Sequence, residues 1–205
     1  TPDSYSVSDN LRNDTYFSNF EGGVGADLSY ENHPITINMY IPYTFHSNRL
    51  HQKAQGQDLN QKDLSLEVES RVLWDISPHM TWTSHYNLSH SYPTVSTLYG
   101  GYIISDYRTL SRYNANLQPG KSHYADTKLE YKNAMAMFFS NVEASYDISY
   151  PHVLYGYTMN GIYSTITTSK TDKNSESYSI KAYASKGFYW KSLNFSLTGI
   201  WNKSR

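Results

Sequence analysis

Residues 35–45 read ITINMYIPYTF, and taking every second position sorts them by chemistry. Ile35, Ile37, Met39, Ile41, Tyr43 and Phe45 are apolar, and they alternate with Thr36, Asn38, Tyr40, Pro42 and Thr44. Successive side chains of a strand point to opposite faces, so this stretch has one apolar face and one wet one. The same period recurs in Tyr16, Ser18, Phe20, Gly22, Val24, Ala26, Leu28, Tyr30, and again in Leu64, Leu66, Val68, Ser70, Val72, Trp74. Eight such stretches predict strands at about 15–31, 35–46, 63–74, 80–90, 122–132, 136–150, 177–186 and 192–202, after an irregular leader at 1–14. Within their alternating cores the charges keep to the wet phase: Glu21, Asp27, Glu67, Glu69, Arg71, Asp126, Lys128, Glu130, Glu143, Asp147 and Lys181.

A one-sided strand fits a soluble sandwich as well as a membrane barrel, so the connections have to discriminate. They alternate in length: short at 31–34, 75–79, 132–135 and 186–191, long at 46–62, 89–120 and 149–176. Tight turns at one end and extended loops at the other are the up-and-down pattern of outer-membrane barrels. A sandwich with Greek-key connections gives no reason for strict alternation. The expected fold is therefore all-β, an antiparallel up-and-down meander of about eight strands that forms part of an outer-membrane β-barrel, with residues 1–205 as a single partial barrel domain. Aromatic residues cluster where two interfacial girdles would fall: Tyr30, Trp74, Trp82, Tyr131 and Phe138 near the short turns, and Tyr16, Tyr43, Phe45, Tyr92, Tyr150 and Tyr178 near the long connections. Pro42 has no N–H to donate to a ladder, which predicts a bulge or break there, close to where the strand leaves the membrane on the outer side.

Composition narrows the function classes. Only 39% of residues are apolar, 21 residues are tyrosine, and the formal net charge is −1, so no basic footprint for nucleic acid exists. The absence of cysteine removes disulfide scaffolds and thiolate chemistry. The N-terminal residues lack the apolar run of a signal peptide. No window is long and apolar enough for a spanning helix, which leaves strand spanning open.

The long connections carry STLYGGYIISDYRTLSRYNANL at 96–117 and VLYGYTMNGIYST at 153–165. These resemble loop-and-strand segments from the barrel portion of TonB-dependent outer-membrane receptors of Bacteroides type. The resemblance implies a bacterial outer-membrane location, contact with outer-membrane lipid, ligand uptake energised by TonB, and a plug domain inside a barrel of about 22 strands. A chain of this length would then be a fragment of that wall, lacking plug and TonB-contacting segment. The ending FSLTGIWNKSR, polar after Trp201, agrees with that expectation.

No catalytic constellation is expected. Glu67, Glu69 and Arg71 share one face at alternate positions, and the reading favoured is a lumen charge cluster, because no nucleophile elbow or phosphate loop accompanies them. His85 and His90 lie an odd number of residues apart, on opposite faces of a strand, so no metal site or cofactor is proposed. Ligand capture is assigned to the loop residues Tyr99, Tyr102, Tyr107 and Arg108, beside Gly100-Gly101, and to Tyr155 and Tyr157 ahead of the hairpin signal Asn160-Gly161. Tyrosine rings with hydroxyl tips suit a small ligand, a glycan or a peptide. The alternative function is a soluble or surface β-sandwich that binds carbohydrate.

Overall fold

The computed structural model describes residues 15–53, 56–94, 98, 102–106, 109–112, 119–151, 153–160, 163–170, 173–189 and 193–205. They form β1 (Thr15–Asn32), β2 (Ile35–Gln52), β3 (Gln57–Leu66), β4 (Val68–Ser77), β5 (Met80–Ser91), β6 (Tyr102–Asp106), β7 (Thr109–Arg112), β8 (Gly120–Asn133), β9 (Phe138–Tyr150), β10 (Val153–Asn160), β11 (Tyr163–Lys170), β12 (Ser175–Phe188) and β13 (Leu193–Ser204). The leader at 1–14 lies outside the described residues.

One sheet runs in the order β1-β2-β4-β5-β8-β9-β12-β13, with β3 also paired to β2. All its ladders are antiparallel. β3 and β4 hold one continuous register on β2, since Tyr43 faces Leu66 and Tyr40 faces Glu69. Together they act as one strand, and the sheet is an eight-strand meander. The interruption falls where Pro42 meets Glu67: the Glu67 N–H donates to the Pro42 carbonyl at 3.0 Å, but Pro42 has no N–H to return. The ladder breaks there without a change of register. Among the described residues no pairing joins β13 back to β1, so the sheet is open with two edges.

The register turns each alternating strand into part of a continuous surface. Ser29, Asn38, Arg71, His85, Asp126, Ser145, Ser179 and Asn202 pair in one row across all eight strands. One residue along, on the opposite face, the row reads Tyr30, Ile37, Val72, Ser84, Thr127, Ala144, Ile180 and Trp201. A slip of one residue in any ladder would mix the two faces, so the patterning itself specifies the register.

The apolar face is bare. Phe20, Val24, Leu28, Leu64, Val142, Ile180, Phe195, Leu197 and Trp201 all stand exposed on it, Val24 at 75%. On the polar face of this sheet the exposed large hydrophobics among the described residues are Tyr40, Leu59, Phe139 and Ile200. The buried hydrophobic side chains among the described residues are just Leu50 and Leu98, with Phe17 packed against them. A sandwich would bury its inner face against a second sheet about 10 Å away, and among the described residues these strands have no such cover.

Two features of β1 and β2 bring their backbones close. A Cβ on Gly23 would lie 2.7 Å from the Tyr43 carbonyl oxygen, and one on Gly25 would meet the Tyr40 ring at 2.9 Å. The first needs backbone movement, whereas the second needs only a ring rotation. Strand lengths agree with a crossing: the 13 residues of β9, at ~3.3 Å each and tilted ~45°, rise about 30 Å against an apolar band of about 25 Å. Aromatic contacts mark both ends of the apolar face. Trp74 and Trp82 meet edge to face with centroids 6.4 Å apart, and Tyr131 lies 5.8 Å from Phe138 at the short-turn end. Tyr146 and Tyr178 at 4.8 Å, and His123 and Tyr150 at 6.3 Å, lie toward the other.

The connections depart from the sequence expectation in two places. Residues 46–52 and 57–62 continue the β2 and β3 ladder instead of forming a loop, with Gln52 facing Gln57 and Gly56 at φ 61° in the turn. Beyond Phe45 the alternation is between polar residues, so the apolar signal of a strand is lost while its ladder persists. The other two long connections hold strands of their own, which form a second sheet in the order β10-β11-β7-β6.

Candidate functional site

The polar face of the wall is a lattice of paired charges. Lys181 sits directly across from Glu143, their Nζ and Oε1 atoms 3.3 Å apart. Lys128 and Lys132 reach Glu130 at 2.8 and 2.5 Å. His85 stands between two carboxylates, with Nδ1 3.2 Å from Asp126 Oδ1 and Nε2 3.7 Å from Glu69 Oε1. Ion pairs this open to solvent contribute about 0–1 kcal/mol each. Their role is therefore less to hold the sheet than to give it a hydrated, charge-balanced surface.

The structure spreads Glu67, Glu69 and Arg71 along that surface. Glu69 engages His85, while Glu67 Oε1 accepts the His90 backbone N–H at 3.0 Å, at the point where the ladder breaks opposite Pro42. Arg71 lies in the polar row between Asn38 and His85, and with Thr36, Asn38 and Leu73 it lines a small hollow of about 160 Å³. Among the described residues no group of three or more His, Cys, Asp or Glu side chains converges in a way that would hold a metal ion.

The end opposite the short turns is built differently. After β5 the chain crosses the polar face of the β2/β3 hairpin: the Tyr92 ring stacks on His46 with centroids 3.8 Å apart, and Gln52 Nε2 donates to the Leu98 carbonyl at 2.9 Å. Tyr92 thus leaves the girdle in which its position in the sequence had placed it and covers the polar face instead. Leu98 closes over Leu50 and Phe17, and Ser65 is buried beneath, its Oγ 3.2 Å from His46 Nε2. Burial, reinforced by the nearby Asp63, Glu67 and Glu21 carboxylates, pushes the Tyr92 phenol above its ordinary value. Sequence reasoning missed this cover because Phe17 and Leu50 fall in the wet phase of their strands. The available signal was their pairing: two apolar residues that depart from the phase directly opposite one another.

Of the loop residues assigned to ligand capture, Tyr99, Tyr107 and Arg108 lie outside the described residues. Tyr102 opens β6, and Tyr155 and Tyr157 lie in β10, the two edge strands of the second sheet. Tyr102 pairs with Arg112, Tyr157 with Ile166 and Tyr155 with Thr168. The two connections meet in a parallel ladder, Ser164 to Thr167 of β11 beside Thr109 to Arg112 of β7. Candidate positions from two connections far apart in the chain therefore share one backbone scaffold.

No protein-family model and no curated protein matches the sequence. Solved structures do match its shape. The copper transporter OprC aligns over 93% of this chain and 30% of its own, at 13% identity and a TM-score of 0.60. The FrpB iron transporter from Neisseria meningitidis (F3-3 variant) aligns over 92% of this chain and 26% of its own, at 11% identity and a TM-score of 0.60. The chain thus spans under a third of the length of either. At these identities the likeness concerns backbone architecture, and it agrees with the meander, the two-faced register and the bare apolar face: the chain shares the fold of part of these two transporters, an antiparallel up-and-down sheet of the kind that forms a β-barrel wall.

Proposed function

We propose that residues 1–205 form one partial barrel domain in the wall of a bacterial outer-membrane receptor for TonB-dependent uptake. The observation that carries this reading is the pairing of a continuous polar surface with a bare apolar one across a single sheet. In the reading, the apolar face meets lipid and the charged face meets the water of the lumen, where Glu67, Glu69 and Arg71 form part of the surface past which a plug domain and a ligand would move. The break at Pro42 then lies toward the extracellular side, where a missing ladder bond costs least because water is near. Capture of the ligand, a small molecule, glycan or peptide, falls to the outer connections through Tyr99, Tyr102, Tyr107, Arg108, Tyr155 and Tyr157. The names of the two similar structures, both transporters, support transport over catalysis, and no step here calls for an enzyme.

The test uses tryptophan as a depth-sensitive reporter. In vesicles of phospholipids brominated on their acyl chains, Trp74, Trp82 and Trp201 should be quenched strongly, and aqueous iodide should quench them weakly. A soluble sandwich that binds carbohydrate would give the reverse, and would elute as a monodisperse monomer without detergent.

A further inference from the structure

Midway along the apolar face, the wall is hollow. Ala125, Thr127 and Ala144, small residues on adjacent strands, floor a depression of about 360 Å³. Ile180 and Trp201 wall it on one side, and Tyr146 and Tyr178 close its upper end. The polar atoms in the floor are already engaged. Trp82 Nε1 donates to Thr127 Oγ1 at 2.7 Å, and Ser84 Oγ donates to the Asp126 carbonyl at 3.1 Å. What remains for an occupant is apolar surface, which suits a hydrocarbon chain and offers nothing to a polar ligand.

The mouth of the hollow carries the second observation. Lys203 is the register partner of Tyr178, two residues beyond Trp201 on the same face. Arg205 follows in the same phase, its backbone paired with Glu176. The Glu176 carboxylate accepts from Tyr178 Oη at 3.2 Å and from Asn174 Nδ2 at 2.9 Å. At the outward end of this depression two cations, Lys203 and Arg205, stand in the apolar phase with the Glu176 carboxylate beside them. A lysine ammonium at that level is a point-charge partner for a phosphate, and tyrosine hydroxyls beside it suit the interface between headgroup and chain.

We propose that this face holds one phosphate-bearing diacyl lipid in preference to its neighbours, with an acyl chain in the hollow and the phosphate at Lys203. The proposal rests on the membrane reading above. Trp201, in the wall, reports occupancy directly. The experiment uses the protein purified in detergent, with Trp74 and Trp190 replaced by Phe and Trp82 kept because it engages Thr127 in the floor, and dioleoyl lipids brominated on the chains. Phosphatidic acid should quench the remaining tryptophans, Trp82 and Trp201, at several-fold lower mole fraction than phosphatidylcholine. Lys203→Glu should abolish the preference, Lys203→Arg should keep it, and Ala144→Leu, which fills the floor, should weaken quenching by phosphatidic acid. Glycerol 3-phosphate should not compete.

Equal quenching by the two lipids, or a preference that survives Lys203→Glu, would overturn the site while leaving the membrane reading intact. Competition by glycerol 3-phosphate would show that the phosphate binds without the hollow, and would also overturn it. Quenching that appears only when the protein is diluted among micelles would identify a second protein copy as the occupant. Absence of quenching by either lipid would sink the membrane reading itself. If the two-Phe variant does not fold, native mass spectrometry of the unmodified protein and of Lys203→Glu reads the same preference from retained lipid mass.

Discussion

Two regions of this sheet treat apolar side chains in opposite ways. Across the middle strands, Val142, Ile180, Leu197 and Trp201 are left uncovered on one face, and no described element packs over them. At the far end of β2, by contrast, Leu50 is fully buried beneath Leu98 and beside Phe17. The residues are of the same kind, so in the membrane reading proposed above the difference lies in the solvent. Where hydrocarbon surrounds the wall, an apolar side chain gains nothing by finding a protein partner. Where water does, even three residues assemble into a core. In that reading the small cluster marks the level at which the chain has left the bilayer.

The largest expected effect tests the lipid side of this contrast. Val142→Arg should destabilise the protein by about 2–4 kcal/mol when unfolding is followed in phospholipid vesicles, if the site lies near the midplane. A near-neutral result would remove the bilayer from the account. Leu50→Ala should cost about 2 kcal/mol, at the low end for a buried leucine because so few neighbours surround it. Its effect should be local, appearing as faster amide hydrogen exchange at 46–52 with the wall unchanged. On the polar face, Lys181→Ala should change stability by less than about 1 kcal/mol, since the Lys181 side chain is half exposed and its pair with Glu143 is screened by water. An effect as large as that of Val142→Arg would mean this face is dry.

The smallest effect is a pH dependence. Tyr92 has its phenol pushed up by burial, so the docked state holds that proton more tightly than the unfolded chain does. Its stabilising contribution is present in full below the unfolded value of about 10 and declines as pH rises above it. Ultraviolet absorbance of tyrosinate, compared with Tyr92→Phe, should show one phenol ionising late, together with release of the 92–98 segment.

What could be read from the residues follows from the same division. In the wall, a strict period of two and the confinement of Glu143, Lys128 and Asp126 to one phase are what the proposed membrane setting, with different solvents on either side, would impose. The fold class was therefore visible before any coordinates. Beyond Phe45 one face of β2 (His46, Asn48, Leu50, Gln52) is buried under Tyr92 and Leu98 through mostly polar contacts, the other carries Ser47, Arg49 and His51, and periodicity ceases to mark the strand. The β10–β11 and β6–β7 pairs were hidden for the same reason, although Asn160-Gly161 correctly announced a reversal between Asn160 and Tyr163. For the capture residues, a tyrosine in a connection looks alike whether it meets a ligand or a neighbouring loop. Tyr92, drawn onto His46, shows how readily one takes the second course.

The parallel ladder between β7 and β11 has a consequence for how such a surface can diversify. Thr109 to Arg112 and Ser164 to Thr167 belong to connections separated by two whole wall strands, yet each supplies the other's backbone partners. An insertion or deletion in one would shift the register offered to the other. The two connections are therefore tied as a single heritable unit, and successful variants should change both together or keep their pairing segments fixed while altering only the turns between them.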